Sequence, residues 1–444
     1  MPIEDFIISS LNLTEQQIQS LDTVRSDSTI LKVFLTLKPV STSCPYCGGK
    51  LVSKGLKEQK LRTLDSAGYE TIIYWRRRRY ICKDCRHTLM ESNPFGPEGL
   101  NITFSALYKI VLDLHNIRLS IKEIASRYHV SSTTIERYAD SFIQVPRLFL
   151  PDNLGIDEIH SDMAKYGGSY LCVFVDNHNR SLTEILPNRS KRTLVSYFDK
   201  IPETERNSVN YVTIDMWEPY RDVAARYLKH AVIAVDPFHV IKHLSDGFTK
   251  LRIRIMDAQP RESAGYYLLK SWHKLMESSS YNLDNEPKYN SFFRKKINYR
   301  EILELLLKID QNLTTAYYLK EYYRKFNAEA TADNCAHWFD CVLSQFLAAD
   351  LWCYRDFVET IKNWKAEILS SFLRPYDNRK QSNALAENIN GQLRTLIDVS
   401  NGLSNFDRFR ARAIYSLNNT ITYTITNKLV SKKRTGKKRG NYIK

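Results

Sequence analysis

The sequence predicts an α/β core, a mixed sheet with helices on its faces. A large all-helical insertion interrupts it, and a zinc-binding ribbon and a helix-turn-helix precede it. Three observations carry that prediction. Two Cys-x-x-Cys pairs bracket strand-like stretches near the N-terminus. A Ser-x-x-Glu capping box opens the second of three short amphipathic helices. The hydrophobic period then switches between two and 3.6 in the order β-β-β-α-β-α-β, before a long run of helical pattern.

Composition bounds the function. The chain has 444 residues, enough for about three domains. With 43% hydrophobic and 25% charged residues it is neither disordered, fibrous nor a small disulfide scaffold. Its net charge of +15 attracts polyanions, nucleic acid first and an anionic membrane surface second. No window approaches the roughly 18 apolar residues of a membrane span. The first ten residues carry Glu4 and Asp5 and no Lys or Arg, unlike a secretory signal. A cytoplasmic protein is expected, with its eight cysteines reduced.

Residues 1–40 form an N-terminal segment, and 41–95 the ribbon. Cys44 and Cys47, then Cys82 and Cys85, make two knuckles. Each two-residue spacing places two thiolates at adjacent corners of a tetrahedron, so four corners close on a structural Zn²⁺. The alternative is four unpaired structural thiols. His87 is read as a bystander; Cys172, Cys335, Cys341 and Cys353 lack metal spacing and are read as core. Arg76, Arg77, Arg78 and Arg79, flanked by Trp75 and Tyr80, form a phosphate-gripping candidate; a charged, solvated edge strand is the alternative.

Residues 100–148 read as the helix-turn-helix. A first helix covers 103–115, Ser120 and Glu123 cap a second, and a turn at 129–131 leads to a recognition helix over 132–143. Ser132, Thr133, Thr134 and Arg137 would reach a groove. A plain helical hairpin is the alternative.

The core spans 152–239 and 376–420. Strands are expected at 154–159, 170–175, 182–186, 209–214 and 231–235, with a turn at 165–168 and helices at 191–200 and 219–228. Asp157 and Asp215 stand at or near strand C-termini, where an acid after an apolar run is costly unless paired or metal-bound. Adjacent strands would let them share Mg²⁺ or Mn²⁺; ordinary strand-end caps are the alternative. A long insertion, 240–375, follows Asp236 and His239. Beyond it lies a helix on which Glu387, Asn390 and Arg394 share one face. By pattern alone Glu387 is a solvated surface residue.

Together these words resemble the insertion-sequence DDE transposases, most closely the ISL-three family. The resemblance rests on the knuckles with Trp75–Cys85 and on Gly155-Ile-Asp-Glu-Ile159, then on Ile214-Asp-Met-Trp-Glu-Pro-Tyr220 and Val235-Asp-Pro-Phe-His-Val240. It continues through Asn383–Asn390 and Gly402-Leu-Ser-Asn-Phe406, and so covers about residues 40 to 420. It implies a ribonuclease-H-like core with Asp157, Asp215 and Glu387 as its catalytic, metal-holding acids. Asp236 and His239 match a supporting D-x-x-H signature. Ser382-Asn-Ala-Leu-Ala-Glu387 keeps the Asn of the family pattern and lacks its Gly. The implied activity is metal-dependent cleavage at element ends and 3′-hydroxyl strand transfer into target DNA, by a dimer or larger assembly on double-stranded DNA in a bacterial nucleoid. The basic tail at 421–444 is read either as a DNA-contacting arm or as a solubilising tail. A domesticated, non-cleaving DNA-binding regulator is the rival reading.

Overall fold

The computed structural model describes residues 3–26, 29–39, 43–163, 168–278, 280–376, 379–400, 405–418 and 423–425. The expected turn at 165–168, the basic clusters at 432–439 and most of the 402–406 word lie outside them. The chain divides into two units, 1–147 with 391–444 and 148–390.

In the first unit, α1 (Ile3–Ser10) leads to β1 (Ile18–Arg25), β2 (Ile30–Leu37), β3 (Leu51–Arg62), β4 (Glu70–Cys82) and β5 (Thr88–Met90). They form one sheet in the order β1-β2-β4-β3, with β5 also on β4. β2 runs parallel to β4 and β3 antiparallel to it. Alternation buries Leu31, Val33 and Leu35 of β2 against Ile73 and Trp75 of β4, and α1 adds Ile7. Residues 1–40 are therefore no separate segment: their two strands complete the sheet that carries the ribbon. β4 is a central strand, so the edge-strand reading of its arginines fails as well.

Three helices follow: α2 (Phe104–His115), α3 (Ile121–Arg127) and α4 (Ser132–Phe142). Thr103, Ser120 and Ser131 cap them, and Ser120 and Glu123 form the expected box. His129 takes a positive φ of 53° in the turn before α4. Leu107, Ile110, Ile124, Ile135 and Phe142 close a common core.

The second unit is built on β6 (Asn153–His160), β7 (Tyr170–Asp176), β8 (Ser181–Leu186), β9 (Tyr211–Ile214) and β10 (Val232–Val235). The sheet order is β10-β9-β6-β7-β8. β6, β7 and β8 are antiparallel neighbours; β6, β9 and β10 run parallel. Helices α5 (Lys191–Phe198) and α6 (Glu218–Tyr227) make the crossovers, and α7 (Pro237–Asp257) leads into the insertion. This matches the strand–helix order read from the sequence. The insertion is not all-helical: beside α8 (Gln311–Glu329) and α9 (Cys335–Ala349) it holds a hairpin of β11 (Lys288–Asn290) and β12 (Lys295–Ile297). Asn290 makes that turn by accepting from the Phe292 and Phe293 N–H groups.

After the insertion, α10 (Ala384–Val399) carries Glu387, and α11 (Phe406–Leu417) is the last helix among the described residues. Of the expected core segment 376–420, the residues from 391 on fall in the first unit. α11 packs with α2–α4: Tyr415 enters their core, and its hydroxyl donates to Val111 O at 2.9 Å. Arg408 bridges Glu136 and Asp140 of α4. Nothing local in 406–417 distinguishes these partners, which lie some 270–300 residues upstream.

Candidate active site

The zinc knuckles are built as the spacing predicts. Gly48, with φ +73°, lets the first knuckle turn tightly, and its N–H returns to Cys44 O at 2.9 Å. Cys82 ends β4 and pairs with Leu51 of β3, which brings the second knuckle alongside. Cys44 and Cys85 sulfurs are 3.6 Å apart, those of Cys47 and Cys82 3.5 Å. All four lie within 4.8 Å of one another, near the ~3.8 Å edge of a tetrahedron with 2.3 Å Zn–S bonds. The backbone N–H of Cys85 lowers the Cys82 thiol. His87 stacks on Tyr46 and stays outside the group.

The four arginines of β4 do not act together. Arg77 pairs with Glu98 through both carboxylate oxygens, at 2.9 and 3.0 Å, and its side chain is 13% exposed. Arg78 donates to Gln19 at 2.8 Å and to Leu37 O. Both are committed inside the sheet, and Trp75 is core, edge-on to Phe95. Arg76 remains exposed and Arg79 half-buried. On α4, Ser132, Thr133 and Arg137 are exposed, while Thr134 is half-buried and shares a hydrogen bond with Ser131.

The acids converge at one end of the second unit's sheet. Asp157 lies late in β6, Asp215 follows β9 directly, and Asp236 follows β10 as the N-cap of α7. Parallel pairing of β6, β9 and β10 sets all three on neighbouring strands at the same end. All are buried. His239, in the first turn of α7, points Nε2 to within 3.0 Å of Asp215 Oδ1. Donor atoms of Asp157, Asp215 and His239 lie within 4.8 Å of one another.

Burial is the main cause of an upward shift in each acid. It raises Asp157 to about 7, helped by the charges of Glu158, Asp236 and Glu387. It raises Asp215 to about 9, helped by Asp157, and Asp236 to about 6. Burial lowers His239, so its imidazole is neutral near pH 7 and its ring nitrogens can act as ligands. Asp157 is the best satisfied: Oδ1 accepts from Glu158 N and Oδ2 from Asn390 Nδ2, both at 2.7 Å. Asp236 Oδ2 is buried with no hydrogen-bond donor, and the buried Asp215 Oδ1 has only the His239 imidazole, 3.0 Å away. Buried carboxylate oxygens without donors are costly unless a cation takes them. Two carboxylates and one imidazole therefore fit a divalent cation, and the nitrogen favours Mn²⁺ over Mg²⁺.

Glu387 is not in this cluster. It is exposed in the first turn of α10, and its charge acts on Asp157 and Asp236. A short strap positions that helix. Gln381 accepts from Thr213 Oγ1 at 3.2 Å, and Asn383 donates to Ile156 O at 2.9 Å. It is thereby fastened to both acid-bearing strands.

Sequence reasoning missed Glu158 and its partners. Its carboxylate is bridged to Arg189 and accepts from Tyr220 at 3.2 Å, while Arg189 lies over the rings of Tyr170 and Trp217. The signal was its place directly after Asp157, but its two partners lie 31 and 62 residues further along the chain.

Two family models match the chain, and the first spans all of the second unit from β6 onward and continues into the first unit. A family model for the ISL3 transposase, DDE type, matches residues 154–413. A second, described as the zinc-finger of transposase IS204/IS1001/IS1096/IS1165, matches 41–85. The chain is 21% identical to the transposase for insertion sequence element IS1001 of Bordetella parapertussis over 374 residues, 81% of this chain and 85% of that protein. Among the described residues no helix is long and apolar enough to cross a membrane.

Proposed function

The chain belongs to the ISL3 transposase family, and on that premise we propose that it cuts and rejoins the DNA ends of a bacterial insertion sequence. The observation that carries this reading is the meeting of Asp157, Asp215 and His239 at the ends of parallel strands. The order of three antiparallel strands followed by two parallel ones supports a ribonuclease-H-like core.

Asp157, Asp215 and Glu387 are the catalytic acids; Asp157, Asp215 and His239 would hold a divalent cation, with Asp236 in support. Divalent cations held by these residues would supply charge neutralisation and an activated water or 3′-hydroxyl at the phosphodiester. Asp157 and Asp215 give up protons on binding, since burial holds both above the ordinary carboxylate range. Asn390 fixes Asp157 Oδ2, so that carboxylate keeps one orientation through the reaction. Asp236 caps α7 and thereby aims His239 at Asp215. Glu387, exposed on α10, is placed to meet the DNA as the site fills.

The ribbon and the three-helix module with α11 recognise the terminal inverted repeats. α4 is the recognition helix, with Ser132, Thr133 and Arg137 toward the groove and Thr134 at its start. Arg76 and Arg79 serve the backbone, whereas Arg77 and Arg78 hold the sheet together. Two ends must be joined, so a dimer or larger assembly acts on DNA in the bacterial cytoplasm.

The test is a labelled duplex carrying the element's end, compared with the same duplex with the terminal repeat scrambled. Mn²⁺-dependent nicking of the true end alone is expected. Tight binding of the true end without nicking, with both Mn²⁺ and Mg²⁺ tried and paired ends supplied, would make the protein a DNA-binding regulator.

A further inference from the structure

The second unit has another polar concavity, which the proposed reaction leaves unused. It is a cavity of about 340 Å³ at the opposite end of β6. Asn153 opens that strand and Asp157 comes four positions later, ~13 Å along an extended chain.

Its chemistry is that of an anion site. Arg180, in the β7–β8 turn, and Arg379 stand exposed on its rim. Neither has an ion-pair partner among the described residues. No acidic side chain lines the cavity. The nearby acids stand behind the lining and are engaged by it: Asp152 accepts from the Tyr376 hydroxyl and pairs with the His178 ring, and Asp176 accepts from His178 N, Asn179 N and the Asn179 amide. The floor is unsatisfied. Both polar atoms of the Asn177 side chain are buried without a partner, and so is Oδ1 of Asn153, which is 6% exposed. Buried amides in that state call for a ligand or water. Ser382 and the first turn of the sixteen-residue α10 complete the wall, where N–H groups have no helical acceptor.

We infer that this cavity seats a backbone phosphodiester of the DNA strand on which the acids act, away from the reacting phosphorus. The inference rests on the function proposed above. Two guanidinium forks on an open rim suit a phosphate that belongs to a longer chain. The unpaired Asn177 amide and the start of α10 supply donors at depth. Gln381 of the strap lines the same wall, and the strap is fastened to β9 through Gln381 and to β6 through Asn383, so a strand held here is registered against the acids. Arg180 and Arg379 are positioning residues.

The experiment uses the full chain and a labelled end duplex with a 3′ single-stranded overhang. Binding is followed by anisotropy across a salt series for wild type, the Arg180→Gln/Arg379→Gln double variant and the Arg180→Lys/Arg379→Lys double variant. In the Gln variant the slope of log K against log salt is expected to fall by roughly 0.7–1.8, as for one or two lost phosphate contacts. The Lys variant should keep the wild-type slope. An unchanged slope in a Gln variant with the wild-type melting temperature would overturn the inference. So would stabilisation of wild type by inorganic phosphate with no change in slope, which would assign the cavity to a free anion. Failure of wild type to bind DNA at all would instead remove the proposed function.

Discussion

Asn390 donates its side-chain N–H to Asp157 Oδ2 at 2.7 Å, and so ties the helix that bears Glu387 to the strand that bears the first acid. The same amide approaches Glu158 O at 3.3 Å. One side chain thus spans the two acid-bearing segments most distant in sequence.

Replacing Asn390 with Ala removes a hydrogen bond to a carboxylate, worth about 1.5–3 kcal/mol. Nicking should slow roughly tenfold to a hundredfold, while the Kd for end DNA stays within about twofold. Asn390→Asp should be worse, and its pH–rate profile should shift alkaline, because a new negative charge raises Asp157 further. Single-turnover nicking from pH 6 to pH 9 checks both. Equal loss in DNA binding would mean that Asn390 acts on the fold.

Cation binding should stabilise the protein, and more so at higher pH. Asp157 and Asp215 are raised to about 7 and about 9, mainly by burial. A carboxyl raised in the folded state stabilises below its unfolded pKa near 4 and loses that contribution as pH rises through the folded value. Without divalent cations, Asp215→Asn should therefore melt above wild type by a margin that grows from pH 5 to pH 9. Mn²⁺ should raise the wild-type Tm, increasingly with pH, and leave Asp157→Asn/Asp215→Asn unmoved. A Tm indifferent to Mn²⁺ throughout would count against a cation site.

Each chain should carry one tightly held zinc. Elemental analysis of protein purified without chelator should find one zinc per chain in wild type and little in Cys47→Ser. That variant should lose end binding before it loses the fold of the second unit, since β3, β4 and the knuckles lie in the first. Zinc-free wild type that binds DNA normally would contradict the site.

Arg408 should matter to DNA binding without touching DNA. It neutralises Glu136 and Asp140 on α4, which would otherwise repel phosphates beside the recognition residues. The pairs are about one-third exposed, so the effect is modest. Arg408→Ala should weaken end binding roughly twofold to fivefold. Adding Glu136→Gln and Asp140→Asn should restore it. If the triple variant binds no better than Arg408→Ala, the effect comes through the packing of α11 instead.

Much of the site was legible because it rests on local pattern. Paired thiols at two-residue spacing, acids ending apolar strands and a capping box are each read within a few residues. What escaped depends on contacts across long stretches of chain. Arg77 and Arg78 looked like a phosphate grip because Glu98 and Gln19, which occupy them, sit at opposite ends of the module. Trp75, which flanks that run, is core, edge-on to Phe95. Residues 30–37 are an apolar run broken only by Lys32 and Thr36 and could have been read as a strand, but only pairing with β4 places them in the ribbon's sheet. His239 ranked as a mere supporter because sequence cannot show that the first turn of α7 reaches Asp215. Glu387 drew its weight from a resemblance, and its exposed place in α10 agrees with the surface residue that its pattern alone suggested.

The most direct test compares Mn²⁺-dependent nicking of the end duplex by wild type, Asp157→Asn and Asp215→Asn, each with confirmed wild-type DNA affinity. Nicking by wild type that drops at least ~10³-fold in both variants is the expected result, given the weight of charge stabilisation in such sites. Nicking that survives in either variant would place the chemistry elsewhere.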